Sequence, residues 1–170
     1  QQGMPRITDF GLAKCCDSSA HLTRTGQIVG TPGYMAPEQA AGESSEVGPA
    51  ADIYAIGGIL YFALTGEAPF HAANVIDTLV QSLESEPPSP RKLDPSIPKP
   101  LEQICLRCLE RAPEDRYRSA LDVANDLDCF LQDLPIQARP PTTSELIRRF
   151  VRNAPVLSVH LVALGSLLVV

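Results

Sequence analysis

A carboxylate near the start of the chain is the first group that could do chemistry. Asp9 lies in the stretch ITDFGLAK, after a short apolar run and directly before Phe10 and Gly11. This arrangement is typical of a carboxylate held at the end of a strand, where it can bind a ligand, and it predicts a short strand over residues 3–10. Taken alone, Asp-Phe-Gly is a weak signal, because glycine after an aromatic residue is also ordinary turn chemistry.

Two cysteines spaced as Cys-x-x-Cys offer a second chemistry, which is metal binding. Cys105 and Cys108 lie in LEQICLRCLER, where apolar residues recur at helical spacing. A structural zinc site needs a second pair of ligands, and none stands at suitable spacing. We therefore expect buried, reduced thiols in a helix core, which fits a reducing, cytosolic compartment. The histidines, which are His21, His71 and His160, have no partners at metal or triad spacing.

The overall composition limits the possible functions. The chain has 170 residues, enough for one domain with its own core, and a formal net charge of −6, which argues against a nucleic-acid partner. Its 16 prolines cluster over residues 85–100 and 134–141, which predicts loops and linkers. The chain begins without Met and ends within an apolar run, so we expect a fragment of a longer protein.

The hydrophobic pattern indicates a mainly helical domain behind a long loop. Residues 13–34 are small, polar and glycine-rich, which predicts that loop. The helix over residues 50–66 is strongly apolar, so we expect it to be buried on most sides and to end at Gly66. Ser119 is the expected N-cap of the last helix of the domain. The other predicted helices cover residues 36–42, 73–85, 100–111 and 119–134.

The end of the chain predicts a membrane span. Residues 154–170 contain no formally charged side chain. As a helix they would reach about 25 Å, slightly less than the bilayer core of about 30 Å. Arg148, Arg149 and Arg152 precede them, and by the positive-inside rule the preceding domain would be cytoplasmic. We expect a truncated, single-pass transmembrane helix in the cell membrane; the alternative is a hydrophobic core helix of the same domain.

Three further motifs give the Asp-Phe-Gly stretch its meaning. They are GTPGYMAPEQ, DIYAIGGILYFALTGEAPF and RAPEDRYRSA, which begin at Gly30, Asp52 and Arg111. The four motifs in this order resemble the second half of a eukaryotic-type protein kinase domain, and the linker and span further resemble bacterial membrane-anchored serine/threonine kinases. The resemblance implies the C-lobe of a protein kinase-like (α+β) fold, mainly α-helical with a short β element at the N-terminus. The implied divisions are residues 1–132 (partial kinase domain), 133–153 (proline-rich, basic juxtamembrane linker) and 154–170 (transmembrane helix).

The resemblance assigns roles to the residues of the first motif. Asp9 would bind Mg²⁺ and, through it, ATP, because a hard cation prefers oxygen ligands. Gly11 would give the backbone freedom behind it, and Phe10 would pack into the core. Thr31 matches the threonine that contacts the catalytic loop in serine/threonine kinases, which favours serine and threonine as the accepting residues. The catalytic-loop aspartate itself would lie upstream of residue 1.

The same resemblance assigns structural and regulatory roles further along. Thr23 and Thr25 match the phosphorylated pair of the activation loop, whose phosphates order that loop; a solvated polar loop is the alternative. Glu38 and Arg116 would form a buried ion pair that anchors this segment to the helical lobe. Asp52 would accept backbone N–H bonds from the catalytic loop, although it would also favour a helix N-terminus by capping and dipole.

A working kinase needs several elements that this sequence lacks. These missing elements bear on whether the chain is active alone. The glycine-rich loop, the ATP-anchoring lysine with its glutamate, the catalytic Asp and the second metal-binding Asn are all absent from residues 1–170. We expect the chain to be part of an active kinase that phosphorylates protein substrates, and to be inactive alone. A dimer for trans-autophosphorylation is a possible assembly. The alternatives are a pseudokinase and a membrane-tethered scaffold.

Overall fold

The computed structural model describes residues 31–42 and 47–139. These residues form six α-helices and two 3₁₀ turns, and none of the described residues lies in a strand. The helices are α1 Pro37–Ala40, α2 Pro49–Thr65, α3 Val75–Glu84, α4 Pro90–Leu93, α5 Lys99–Cys108 and α6 Ala120–Leu131, and the 3₁₀ turns are Pro32–Tyr34 and Pro113–Asp115. The predicted strand over residues 3–10 and the predicted span over residues 154–170 lie outside the described residues. Within the described ranges no helix is long and apolar enough to cross a membrane.

The helix ends follow the capping residues of the sequence. Gly66 ends α2 in a left-handed conformation, with φ of 79°, and its N–H donates to the Phe62 carbonyl, as the sequence predicts. Ser119 caps α6, because its hydroxyl oxygen accepts a hydrogen bond from the Asp122 N–H at 3.1 Å. Asn74 caps α3 in the same way and is an additional cap.

Prolines begin helices in this domain more often than they interrupt them. Pro has no N–H to leave unpaired in the first turn of a helix, and its φ is already helical. A proline stands at the first or second position of α1, α2, α4, α5 and both 3₁₀ turns. The high proline content therefore marks helix starts as well as loops.

The proline-rich residues 85–100 are the clearest case. The prediction of loop and linker is wrong for part of this segment, because it contains α4 and the start of α5. Pro90 and Ile97 are buried in the domain. The Ser89 hydroxyl donates a hydrogen bond to the Glu102 carboxylate of α5, which ties the segment to the helix that follows.

Helix α2 organises the core. One cluster of buried side chains joins α1, α2, α5 and the segment after α2; it contains Ala36, Ala51, Tyr54, Tyr61, Phe70, Cys105 and Leu109. A second cluster joins α2, α5 and α6 and contains Ile53, Ile104, Cys108, Tyr117, Val123 and Ala138. The prediction that α2 is buried on most sides is wrong in part, since Ile59 is 63% and Phe62 is 50% exposed. A uniformly apolar sequence does not indicate which faces of a helix will be covered.

Two adjacent glycines allow α2 to pack closely on both of its covered sides. A Cβ on Gly57 would lie 2.6 Å from the Cβ of Cys108 and 3.0 Å from Cγ of Leu109, so α5 packs against this glycine. A Cβ on Gly58 would lie 2.9 Å from the ring of Tyr34, in the first 3₁₀ turn. The Gly-Gly pair in the helix interior is therefore explained by packing, despite its low helix propensity.

We expect Gly57→Ala to lower the free energy of unfolding by about 1–2 kcal/mol, since overpacking costs about 1–3 kcal/mol and helix propensity returns at most about 1 kcal/mol. Its Cβ meets a Cβ at the root of a side chain, which rotamer changes cannot move. Urea unfolding of the protein would measure the change. Ala63→Gly at an exposed position of the same helix measures propensity alone. Stabilisation by Gly57→Ala would contradict the close approach of α2 and α5.

Candidate functional site

A buried ion pair joins two of the sequence motifs. Arg116 Nη1 lies 2.7 Å from Glu38 Oε1, and Nη2 lies 2.8 Å from Glu38 Oε2, so the contact is bidentate. The exposed fraction is 2% for Arg116 and 6% for Glu38. The structure thus brings together the two residues for which the sequence predicts a pair, 78 positions apart.

The guanidinium uses its remaining donors on backbone carbonyls. Nε donates to Glu110 O at 2.7 Å, Nη1 to Ala50 O at 2.9 Å and Nη2 to Arg111 O at 3.0 Å. Arginine has five N–H groups, and each of them therefore has an acceptor. This satisfies the condition under which a buried charge is tolerated, which is full pairing and full hydrogen bonding. Arg116 connects α1, the start of α2 and the segment after α5.

The local backbone structure around Glu38 and around Arg116 positions the two charged groups. Glu38 lies in the first turn of α1, which begins at Pro37, and the Gln39 side chain accepts a hydrogen bond from the Ala36 N–H at 3.1 Å. Arg116 directly follows the 3₁₀ turn Pro113–Asp115. Its guanidinium carbon stands 5.0 Å from the centre of the Tyr54 ring on α2, within the range of a cation–π contact.

The segment before α1 is also fixed against the helices. Thr31 precedes the 3₁₀ turn, its side chain is exposed, and its carbonyl accepts a hydrogen bond from the Tyr34 N–H at 3.0 Å. Gly33 is buried, and a Cβ there would lie 2.7 Å from the Phe70 carbonyl oxygen. Thr31 therefore sits at the edge of the described structure, on a turn that is packed against the chain after α2.

Of the other predicted site residues, the structure describes Thr31 and Asp52. Asp52 lies in the first turn of α2 and is exposed, which agrees with its favourable position at a helix N-terminus. Asp9, Phe10, Gly11, Thr23 and Thr25 lie outside the described residues. Within residues 31–42 and 47–139, no group of three or more His, Cys, Asp or Glu side chains could hold a metal ion.

The Cys-x-x-Cys pair is structural, as the sequence predicts. Cys105 and Cys108 are free thiols with no exposed surface, and Cys105 Sγ lies 3.6 Å from the Gly57 carbonyl oxygen. Burial raises the pKa of the Cys105 thiol, and it raises the pKa of Cys108 to about 12. Both groups thus stay protonated at neutral pH.

These thiols should resist alkylation in the folded protein. Only the thiolate reacts with iodoacetamide, and at pH 8 a raised pKa and complete burial both suppress the reaction. Among the three cysteines that the structure describes, we expect the partly exposed Cys129 to be modified first, and Cys105 and Cys108 only in urea. Mass spectrometry of labelled peptides measures the order. Equal labelling of all three residues in the native protein would contradict the buried arrangement.

Sequence analysis missed a second buried carboxylate. Asp126 is 1% exposed and accepts a hydrogen bond from the Tyr117 hydroxyl at 2.7 Å. Burial, and then the hydrogen bond to Asp126, raise the pKa of Tyr117. A signal was present, because Asp126 occupies a core position in the helical period of Val123, Leu127 and Phe130.

Comparison with known proteins gives these contacts their context. The family model described as "Protein kinase domain" matches residues 1–126. Serine/threonine-protein kinase Pkn1 of Myxococcus xanthus is 41% identical over 128 residues, which are 75% of this chain and 18% of that protein. Tyrosine-protein kinase MasK of Myxococcus xanthus DK1622 is 44% identical over 132 residues, 78% of this chain and 20% of that protein. Serine/threonine-protein kinase PkaA of Streptomyces coelicolor is 39% identical over 134 residues, 79% of this chain and 23% of that protein.

The chain thus spans about a fifth of the length of the curated relatives it matches. The family match includes Glu38 and Arg116 as well as the Asp-Phe-Gly motif. The described helices agree with the helical lobe that the sequence resemblance implies. The chain therefore belongs to the protein kinase domain family.

Proposed function

We propose that the protein containing this chain transfers the γ-phosphate of ATP to serine or threonine hydroxyls of other proteins. The observation that carries the proposal is the intact, fully hydrogen-bonded pair of Glu38 and Arg116. It ties the segment that follows the Asp-Phe-Gly motif to the helical domain. A chain that kept only a scaffold role would have no need of the metal ligand in the acidic motif.

The metal-binding role falls to Asp9 in this proposal. A carboxylate is the kind of ligand that Mg²⁺ prefers, and the bound ion would neutralise charge on the triphosphate. The groups that the sequence lacks, including the catalytic aspartate, would come from the rest of the longer protein. That part would also cover the apolar side of α2, on which Ile59 and Phe62 are exposed. The 170-residue chain alone would then be inactive.

The choice of accepting hydroxyl is supported by Thr31 and by the relatives. Thr31 matches the serine/threonine class, and Pkn1 and PkaA are serine/threonine-protein kinases. MasK, at 44% identity, is a tyrosine-protein kinase. Phosphotyrosine is therefore the alternative product that the experiment has to distinguish.

Regulation and location complete the proposal. Phosphorylation of Thr23 and Thr25 would add negative charge that pairs with basic groups and orders the loop, and a dimer would allow one copy to modify the other. Residues 154–170 would anchor the protein in the cell membrane with the kinase domain in the cytoplasm. The support for this anchor is the uncharged stretch of 17 residues and the three arginines that precede it.

The direct test is phosphate transfer by the full-length protein. The purified protein is incubated with radiolabelled ATP and Mg²⁺ and a generic protein substrate, and the products are hydrolysed to phosphoamino acids. We expect phosphoserine and phosphothreonine, and no transfer after chelation of the metal. Phosphotyrosine alone would contradict the specificity. Binding of ATP without any transfer would overturn the proposal in favour of the pseudokinase.

A further inference from the structure

The chain does not leave the domain where α6, the last of the described helices, ends. Asp133 follows the C-cap residue Gln132 and has a positive φ of 54°, a conformation that aspartate tolerates better than most residues. The Leu134 N–H donates back to the Cys129 carbonyl at 2.8 Å, which closes the end of α6 in a Schellman-type turn. The turn directs the following residues back along the helix. Residues 134–139 are called the C-terminal strap below.

The buried carboxylate of Asp126 holds this strap. The Gln137 N–H donates to Asp126 Oδ1 at 2.7 Å, and the Ala138 N–H donates to Asp126 Oδ2 at 2.9 Å. The Tyr117 hydroxyl supplies a third donor, to Oδ2, at 2.7 Å. One carboxylate on α6 therefore binds two consecutive backbone amides of the strap and one side chain of the domain core.

Apolar contacts support the same attachment. Ala138 is 4% exposed and belongs to the second core cluster, and Ile136 packs against that cluster. The guanidinium carbon of Arg107, on α5, lies over the Tyr117 ring, 4.4 Å from its centre. The strap thus forms part of the packed domain, although its composition resembles that of a linker.

We propose that Asp126 is a positioning residue that fastens the C-terminal strap to the domain, so that the chain has a fixed position up to residue 139. The family match ends at residue 126, and the strap lies beyond it. If the strap left the domain, Asp126 would lose two of its three donors while its carboxylate stayed beside the core. The loss of two hydrogen bonds by a carboxylate beside an apolar core is unfavourable, and this penalty keeps the strap in place. The proposal does not depend on kinase activity or on a membrane anchor.

Hydrogen exchange of the full-length protein tests the attachment directly. We expect the amides of Gln137 and Ala138 to be protected in the native protein, because each donates to a buried acceptor. Asp126→Asn replaces one acceptor oxygen by a donor group, so it should reduce the protection of these amides by a factor of about 10 or more. Asp128→Asn, at an exposed position of the same helix, is the matched control and should leave protection unchanged.

Asp126→Asn could also loosen the core, and faster exchange of the α5 amides would reveal this. A second pair of variants at Gln137 tests the strap in that case. Gln137→Pro removes one donor of the strap at an exposed side chain, whereas Gln137→Ala keeps that donor. We expect the Ala138 amide to exchange faster in the proline variant only, with α5 unchanged. Two results would overturn the proposal. One is unprotected strap amides in the native protein; the other is unchanged Ala138 protection in both Asp126→Asn and Gln137→Pro.

Discussion

Replacing Arg116 by alanine is expected to lower the free energy of unfolding by about 3–5 kcal/mol, the typical cost of removing one partner from a buried ion pair. The substitution leaves the Glu38 carboxylate buried without its counter-charge. It also removes the donor from the carbonyls of Ala50, Glu110 and Arg111. Domains are stable by only about 5–15 kcal/mol, so this loss is a large share of the total.

A double variant separates two contributions to this loss of stability, which are the penalty of the unpaired charge and the loss of packing. If most of it is the penalty of an unpaired buried charge, Glu38→Leu combined with Arg116→Met should cost clearly less than the sum of the two single substitutions. Arg118→Ala, at an exposed arginine two positions further on, should change stability by less than about 0.5 kcal/mol. Urea unfolding followed by circular dichroism measures the unsubstituted protein and each of these variants. Strictly additive losses would show that the pair contributes through packing alone.

The ion pair illustrates what could be predicted from the sequence. Nothing local in APEQ or in EDRYRS indicates that Glu38 and Arg116 meet across 78 positions. The resemblance of whole motifs predicts the pair, and the structure shows it as two hydrogen bonds between the guanidinium and the carboxylate. Helix ends were different, since Gly66 and Ser119 followed from the chemistry of single residues.

The errors share a physical cause, which is that composition does not specify packing. The proline-rich residues 85–100 suggested a loop and linker, yet they contain α4 and pack onto α5 through buried side chains and a hydrogen bond to the Glu102 carboxylate. The apolar sequence of α2 suggested burial all round, although Ile59 is mostly exposed. In each case the outcome depends on tertiary partners that are distant in the sequence.

Conversion of Asp9 to asparagine should reduce phosphate transfer by the full-length protein at least about 100-fold, a prediction that depends on the proposed function. A metal ion supplies several kcal/mol of charge stabilisation in the transition state, and the loss of about 3 kcal/mol of it is about a 100-fold change in rate. Asparagine keeps the size of the side chain and one oxygen, but removes the negative charge that attracts a hard cation. The measured quantity is the initial rate of phosphate incorporation at saturating ATP and Mg²⁺.

Two controls distinguish a metal-binding role from a structural one. Asp17→Asn removes a carboxylate eight positions further along that belongs to none of the four motifs, and it should leave the rate within about twofold. The melting temperature of Asp9→Asn should equal that of the unsubstituted protein, because the anchor formed by Glu38 and Arg116 is intact. Full activity in Asp9→Asn would exclude Asp9 as the metal ligand. A loss of activity that follows a loss of melting temperature would instead assign Asp9 to the stability of the fold.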